Sequence, residues 1–381
     1  MSDKATNICL AIGAGAIGKA ISGYIFSSLG FETYLADVSK AVVDDINRRK
    51  GYNLNSTFIK NVSGLLIDDD KTTEIAMKCD YICISIGTFG LTLFIPKLIE
   101  WVEKRTTMSD KPLYILLFEN DTECDQLIET GILNGLGYLP IWLTIVRTSI
   151  ERMSKINIVD NDKFDVISEN FIPVIASKEK LIKSSIFKYN KYFDFVDNVN
   201  AYYYRKLYTN NLGHAVIAYI GLHRGYETIT IAMSDQYIYN ILEGALKESC
   251  AMLIKKFAFL QNEIDNHLKE LIMRYANEDL NDSLYRLARD PIRKLGRNER
   301  IIGTICECYN FDIEPKNIIT TFFYALKYQN NDDPSSKQLK EILDNDGLNG
   351  VLQKICLIDK KNKIYGGITK WRTEFLLTPQ M

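Results

Sequence analysis

The chain is poor in histidine and has no cysteine motif. Only three histidines occur in 381 residues, His214, His223 and His267, and none stands with cysteine at the spacing of a zinc site. Eight cysteines are scattered through mostly apolar segments without a C-x-x-C pair, as is typical of buried free thiols in a reducing compartment. Cys306 and Cys308 could form half of a metal site, but on a helix they face different sides. We therefore expect no metal site.

Long hydrophobic runs and a strong charge of one sign are also lacking. No apolar run approaches the roughly 18 residues of a membrane helix. The net charge is only −2, so no large basic field for nucleic acid is indicated. The apolar stretch at 8–26 is interrupted by a glycine loop and lacks the cleavage site of a secretion signal. We expect a cytoplasmic protein that binds neither nucleic acid nor membrane, with a length that allows two domains.

A G-x-G-x-x-G loop at residues 13–18 stands between an apolar strand and a helical pattern, and the next predicted strand ends at Asp37. This order of strand, turn, helix and strand, with an acid 19 residues beyond Gly18, is the pattern of dinucleotide-binding domains. Asp37 would accept hydrogen bonds from the two ribose hydroxyls of NAD and would repel the 2′-phosphate of NADP. We therefore predict NAD as the cofactor.

The residues of such a loop have separate roles. Gly13 makes the tight turn, Gly15 lets the backbone approach a pyrophosphate, and Gly18 lets the helix pack closely on the strand. Ala16 and Ile17 stand at the helix N-terminus, where backbone amides and the helix dipole favour a phosphate.

Alternating strands and helices continue to about residue 150. Further apolar strands are predicted at 81–85, 113–118 and 142–146. Gly87, Asn120 and Glu151 follow these strands in turn. Because ligands bind at the carboxyl ends of parallel strands, these three residues are candidate site residues, although a polar residue after a strand is more often a turn former.

From about residue 200 the pattern becomes helical. Helices are predicted at 210–222, 234–257, 261–275, 300–309, 315–328 and 336–343. Residues 153–200 carry short extended pieces whose order the sequence does not determine. We predict an α/β protein in which residues 1–197 form a Rossmann-type NAD-binding domain and residues 198–381 form a mostly α-helical substrate and catalytic domain.

Lys206, Asn211 and His214 stand at the start of an otherwise apolar helical segment. At 100° per residue, Asn211 lies about 140° and His214 about 80° round the helix from Lys206, so a single helix would hold all three on one face. One interpretation is structural, with a satisfied core histidine, a capping asparagine and a snorkelling lysine. The nucleotide loop upstream favours the other interpretation, a catalytic site.

Three segments resemble the polyol-specific long-chain dehydrogenases. They are residues 12–19 together with 36–37, residues 205–219 and residues 289–295. The second is the most specific, since Lys206, Asn211 and His214 fit the family's K-x(4)-N-x(2)-H signature. The resemblance spans about residues 6–360. Departures include Ala16 and Lys19, where the family has asparagine and arginine.

The resemblance implies metal-free hydride transfer between NAD(H) and a sugar-alcohol phosphate, with mannitol 1-phosphate oxidised to fructose 6-phosphate. Lys206 would be the general base. Asn120 and Asn211 would donate hydrogen bonds to the developing alkoxide, and His214 would polarise the same oxygen. Glu151 stands where the family often has an aspartate and would relay protons from Lys206.

A phosphate group requires cations, and Arg205, Arg289, Arg293 and Lys294 are the candidates, although each is equally plausible as a solvated helix charge. Two alternatives stay open: a dehydrogenase of a non-phosphorylated polyol or a hexuronate (fructuronate or tagaturonate), and a non-catalytic NAD-binding protein. The expected partner is a small-molecule polyol or ketose phosphate, and the chain is expected to be a monomer or a homodimer.

Overall fold

The computed structural model describes residues 7–119, 123–277 and 282–377, and the chain divides into two compact units, Met1–Tyr203 and Tyr204–Met381. The first unit is α/β and the second is mostly helical, so the predicted fold class is confirmed. The assignment of NAD binding to residues 1–197 and of catalysis to residues 198–381 stays a prediction.

Strands occur in the first unit. They are β1 Ile8–Ile12, β2 Glu32–Asp37, β3 Gly51–Leu54, β4 Thr57–Lys60, β5 Val62–Leu66, β6 Tyr81–Ile84, β7 Leu113–Leu117, β8 Leu143–Ser149, β9 Ser154–Val159, β10 Lys163–Ser168, β11 Val174–Ser177 and β12 Phe193–Val196. Its helices begin with a π-helical turn, Gly18–Gly23, that continues directly into α1. They are α1 Tyr24–Ser28, α2 Lys40–Arg49, α3 Asp70–Lys78, α4 Gly87–Met108, α5 Cys124–Leu136, α6 Lys178–Leu181 and α7 Val199–Lys206, whose last residues enter the second unit.

The main sheet has the strand order β12-β11-β8-β7-β6-β1-β2-β5. The six strands from β5 to β8 run parallel, in the order of the doubly wound dinucleotide-binding fold with β1 near the centre. Along β1, Cys9 and Ala11 enter the core on one face of the sheet, and Leu10 and Ile12 enter the core on the other. Burial on both faces explains why these strands appear in the sequence as unbroken apolar runs.

A second, smaller sheet with the order β4-β3-β10-β9 was not predicted from the sequence. Its central pairing joins β3 to β10, which are more than a hundred residues apart. Asp165 of β10 accepts hydrogen bonds from the backbone amide and the side-chain amide of Asn53 at 2.8 and 2.9 Å, and it pairs with Arg49 at 2.7 Å. These polar contacts fasten the small sheet to the end of α2.

The second unit is built around a central helix. Its elements are a π-helical turn Leu207–Asn211, α8 Leu212–His223, α9 Ile229–Met233, α10 Gln236–Phe257, α11 Gln261–Tyr275, α12 Leu284–Ala288, α13 Pro291–Lys294, α14 Ile302–Asn310, α15 Lys316–Leu326, α16 Pro334–Lys354 and α17 Lys363–Leu377. Every residue from 215 to 221 of α8 is buried, and α8 packs against α10, α12 and α15. Because each fully buried aliphatic side chain contributes about 1.5–3 kcal/mol, the apolar sequence of α8 places it at the centre.

All eight cysteines are buried free thiols. Within residues 7–119, 123–277 and 282–377, no helix is both long and apolar enough to cross a bilayer. The same residues contain no group of three or more side chains of the types that hold a metal ion.

Candidate functional site

The glycine loop has the shape that its sequence predicts. Gly13 adopts φ +98°, and a Cβ there would lie 2.6 Å from the carbonyl oxygen of Ser85. A Cβ at Gly18 would overlap the Gly13 carbonyl, so strand and helix pack without room for a side chain. Gly15 is exposed, and a Cβ there would meet no atom within 4 Å. The loop therefore leaves open space at Gly15, beside the helix N-terminus, where a phosphate can approach.

Asp37 is held in place by two backbone amides. Its Oδ2 accepts a hydrogen bond from Ala14 N at 2.7 Å, and its Oδ1 accepts one from Ser39 N at 2.9 Å. A carboxylate has about four acceptor positions, so both oxygens keep capacity for the ribose hydroxyls of a nucleotide. The glycine loop and this oriented carboxylate together fit NAD.

The helix after the loop contains the π-helical turn Gly18–Gly23 in its first part, and buried side chains bind the backbone of this turn. Tyr52 donates its hydroxyl to the Lys19 carbonyl at 2.6 Å. Arg152, which is only 6% exposed, donates Nη1 to the Ala20 carbonyl at 2.8 Å. Sequence reasoning did not identify Arg152 as a site residue, although it directly follows Glu151.

Three other candidates follow strands of the main sheet. Glu151 is buried just after β8, and Asn120 lies outside the described residues. Gly87 has φ +74°, and its amide donates to the Glu119 carboxylate at 2.9 Å, as does the amide of Ile86 at 2.7 Å. The amide of Gly87 is therefore bound to Glu119. Sequence reasoning did not name Glu119 as a site residue, although its position shortly after β7 could have marked it as one.

The segment with Lys206, Asn211 and His214 is not one uniform α-helix. Helix α7 ends at Lys206, the π-helical turn Leu207–Asn211 follows, and α8 begins at Leu212. The angular separation calculated at 100° per residue is therefore wrong for this segment. In a π turn each amide bonds to the carbonyl five residues back, so residues five apart lie roughly above one another. This geometry brings Asn211 to the side of the helix that carries Lys206.

His214 has a buried ring nitrogen that lacks a partner. Its Nε2 makes no hydrogen bond within the described residues, and its ring lies edge-on to Tyr275 with 5.1 Å between centroids. Burial, together with the positive charges of Arg300, Arg274 and Arg286, lowers the pKa of His214 to about 3. The imidazole is therefore neutral near pH 7. A buried polar atom without a partner is costly, so this nitrogen is available to a ligand.

The predicted phosphate-binding cations differ in their surroundings. Arg205 is buried, with Nη1 3.3 Å from Glu263 and its guanidinium over the ring of Phe259. Arg293 pairs with Asp290 at 2.8 Å and with Glu299 at 3.0 Å. Both guanidinium groups therefore already have carboxylate partners.

Lys294 and Arg289 form a local pair. Lys294 is 5% exposed, and its amine donates to the Arg289 carbonyl. Burial, together with Arg300 and Arg293, lowers the pKa of Lys294 to about 7. The side chain of Arg289 is exposed. Arg300 was not among the predicted residues, although its charge acts on both His214 and Lys294.

Comparison with known proteins covers nearly the whole chain. Residues 7–187 match the family model described as the mannitol dehydrogenase Rossmann domain, and residues 198–365 match the mannitol dehydrogenase C-terminal domain. A mannitol-1-phosphate 5-dehydrogenase of Buchnera aphidicola (subspecies Acyrthosiphon pisum, strain Tuc7) is 31% identical over 93% of this chain and 95% of the relative. One from Geobacillus stearothermophilus is 28% identical over 92% and 95%.

Solved structures share the fold. A Pseudomonas fluorescens mannitol 2-dehydrogenase, solved as a ternary complex with NAD and D-mannitol, matches with a TM-score of 0.75 at 14% identity. The match covers 99% of this chain and 95% of that protein. A D-sorbitol dehydrogenase solved in substrate-free form matches with a TM-score of 0.76 at 12% identity, over 98% and 93%.

Proposed function

The chain belongs to the mannitol dehydrogenase family, as the resemblance predicted, and on that premise we propose that it is an NAD-dependent dehydrogenase that interconverts mannitol 1-phosphate and fructose 6-phosphate. The observation that carries the proposal is the buried, neutral and unpartnered Nε2 of His214, on the same helical segment as Lys206 and Asn211. The substrate is inferred from the names of relatives in the Buchnera and Geobacillus genera.

The first unit would hold the cofactor. The open face of Gly15 and the helix start at Ala16 and Ile17 would receive the pyrophosphate, and Asp37 would bind the adenosine ribose. When bound, NAD supplies the acceptor for the hydride that leaves the alcohol carbon. Asp37 disfavours NADP because its charge would meet the 2′-phosphate.

Residues of the second unit would accept the proton of the substrate hydroxyl. Lys206 accepts that proton as the hydride leaves, and Asn211 and His214 hydrogen-bond to the same oxygen. Asn120 would also donate a hydrogen bond to this oxygen. Glu151 would pass the proton from Lys206 toward solvent. Removal of one such hydrogen-bond donor typically costs about 3–4 kcal/mol of transition-state stabilisation.

The phosphate would be bound by cations of the second unit. Arg289 and Arg293 both have exposed side chains, but Arg293, like the buried Arg205, already pairs with a carboxylate. Arg300 adds a positive charge close enough to His214 to affect its protonation. Arg300 also pairs with a carboxylate, that of Glu299 at 3.1 Å. We therefore rank Arg289 before Arg300, Arg205, Arg293 and Lys294 as a phosphate contact.

The test follows NADH oxidation with fructose 6-phosphate beside fructose, fructuronate and tagaturonate. Turnover on fructose 6-phosphate alone supports the proposal, and turnover on an unphosphorylated ketose alone contradicts the substrate while leaving the catalytic residues in place. Lys206→Ala should lower kcat by roughly 10²–10⁴-fold while the affinity for NADH is retained. If Lys206→Ala turned over at the wild-type rate, the assigned base would be wrong.

A further inference from the structure

The π-helical turn Leu207–Asn211 interrupts the regular ladder of helical hydrogen bonds, and three side chains bind carbonyls beside it. Thr209 Oγ1 donates to the Arg205 carbonyl at 2.6 Å. From α10, Ser249 Oγ donates to the Tyr208 carbonyl at 2.6 Å, and from α11 the Tyr275 hydroxyl donates to the Asn210 carbonyl at 2.9 Å. We call Thr209, Ser249 and Tyr275 the carbonyl clamp.

Each member of the carbonyl clamp is fully buried. Thr209, Ser249 and Tyr275 are all 0% exposed. Water therefore cannot replace their contacts, and a donor or carbonyl left without a partner would cost roughly 1–3 kcal/mol. The clamp thus favours the π turn over any backbone that would withdraw these carbonyls.

A histidine supports the clamp from a fourth position. The Nε2 of His267 lies 2.9 Å from Thr209 Oγ1. A hydroxyl has only one proton, and that of Thr209 is directed to the Arg205 carbonyl, so His267 must donate. This arrangement fixes the rotamer of Thr209 and the protonated nitrogen of His267.

We propose that Thr209, Ser249 and Tyr275 are positioning residues that hold the π turn and thereby keep Lys206 and Asn211 on one side of the helix. The inference rests on the catalytic role proposed for those two residues. In a continuous α-helix they would lie about 140° apart, at the two edges of one face, whereas the π turn brings Asn211 closer to the position above Lys206. The clamp would act through the position of the reacting groups, not only through stability.

The principal test is the double variant Ser249→Ala/Tyr275→Phe, in which the Tyr275 ring remains against His214. We expect kcat to fall by about tenfold or more, because a displacement of about 1 Å at reacting groups can cost as much as 10²-fold. The KM for NADH should stay at the wild-type value, and hydrogen exchange should show faster exchange of the amides of residues 207–212. A folded variant with wild-type kcat would overturn the inference.

Thr209→Val and Thr321→Val form a matched pair. Thr321 is also 0% exposed, and on α15 its hydroxyl donates to the Asn317 carbonyl four residues back, at 3.0 Å. Thr209→Val should lower kcat, whereas Thr321→Val should change stability alone. Equal kcat values for the two variants would overturn the inference.

Two further measurements keep the test decisive. Should the double variant not fold, Tyr275→Phe decides, since it removes one oxygen atom, and a wild-type kcat would count against the clamp. Lys206→Ala, measured in parallel, tests the proposed function itself. An inactive Lys206→Ala beside fully active clamp variants would overturn this inference alone, whereas an active Lys206→Ala would overturn the proposed role of the lysine.

Discussion

The side chain of Tyr275 holds His214 and its helix at two points. Its ring packs edge-on against the imidazole of His214, with 5.1 Å between centroids, while its hydroxyl donates to the Asn210 carbonyl at 2.9 Å. Room for this arrangement exists because residue 213 is glycine: a Cβ there would overlap the Tyr275 hydroxyl. The absence of a side chain at Gly213 is therefore required for Tyr275 to reach both His214 and the Asn210 carbonyl.

Gly213→Ala should disturb the helix through Tyr275. The added methyl group must displace the tyrosine, which would lose its hydrogen bond to Asn210, and we expect a loss of stability of roughly 1–3 kcal/mol together with a lower kcat. Urea unfolding and NADH oxidation measure the two effects. Gly366→Ala on α17 is the control, because a Cβ there meets no atom within 4 Å. Equal stability of Gly213→Ala and the wild type would contradict the prediction.

Gly15→Ala and Gly13→Ala should separate cofactor binding from folding. Gly15→Ala adds a methyl group to open space, so the protein should fold normally but bind NADH more weakly. Gly13→Ala combines an unfavourable φ of +98° with a close approach to Ser85, so it should lower the unfolding midpoint as well. Fluorescence titration with NADH and urea unfolding distinguish the two. Wild-type NADH affinity in Gly15→Ala would exclude a pyrophosphate at this position.

Local patterns in the sequence were sufficient for most of the first unit. Buried parallel strands are apolar runs, and the loop at 13–18 must be glycine-rich because Gly13 and Gly18 touch. The small sheet could not be predicted in this way. Its strands β3 and β10 are short, and their pairing depends on a contact between Asn53 and Asp165 that no local pattern records.

The geometry of the candidate catalytic segment could likewise be predicted only in part from the sequence. The spacing of Lys206, Asn211 and His214 singled out the segment, but the calculation for a regular α-helix gave the wrong angles. The π turn is accompanied by hydrogen bonds from Ser249 and Tyr275, which lie 41 and 65 residues away from the carbonyls they bind. Sequence spacing alone does not encode such partners.

Because of Lys294, the free energy of unfolding should change with pH in the alkaline range. Burial lowers its pKa in the folded protein from the ordinary 10.5 to about 7. Between these two pH values the lysine is protonated in the unfolded chain and neutral in the folded protein. The free energy of unfolding therefore rises with pH, by at most about 1.4 kcal/mol for each unit by which the two pKa values differ. Below about pH 7 both states are protonated and this contribution stays constant.

Lys294→Met should remove that dependence. Urea unfolding at pH 7 and at about pH 9.5 gives the slope for each protein, and the variant should show the smaller gain in stability over this interval. Lys316→Met is the control, because it makes the same substitution at a different lysine, in the first turn of α15. Parallel slopes for wild type and Lys294→Met would show that this amine does not titrate in the folded protein within the interval.

Asp37 should determine the choice between NADH and NADPH. Its carboxylate is oriented by the amides of Ala14 and Ser39, and its negative charge would meet the 2′-phosphate of NADPH. Asp37→Asn keeps the shape and one acceptor oxygen but removes the charge, whereas Asp37→Ser also makes space. Both variants should raise the ratio of kcat/KM with NADPH to that with NADH by about tenfold or more, because opposed like charges cost several kcal/mol. If only Asp37→Ser raised the ratio, steric exclusion would be the cause, and an unchanged ratio in both would remove Asp37 from the cofactor site.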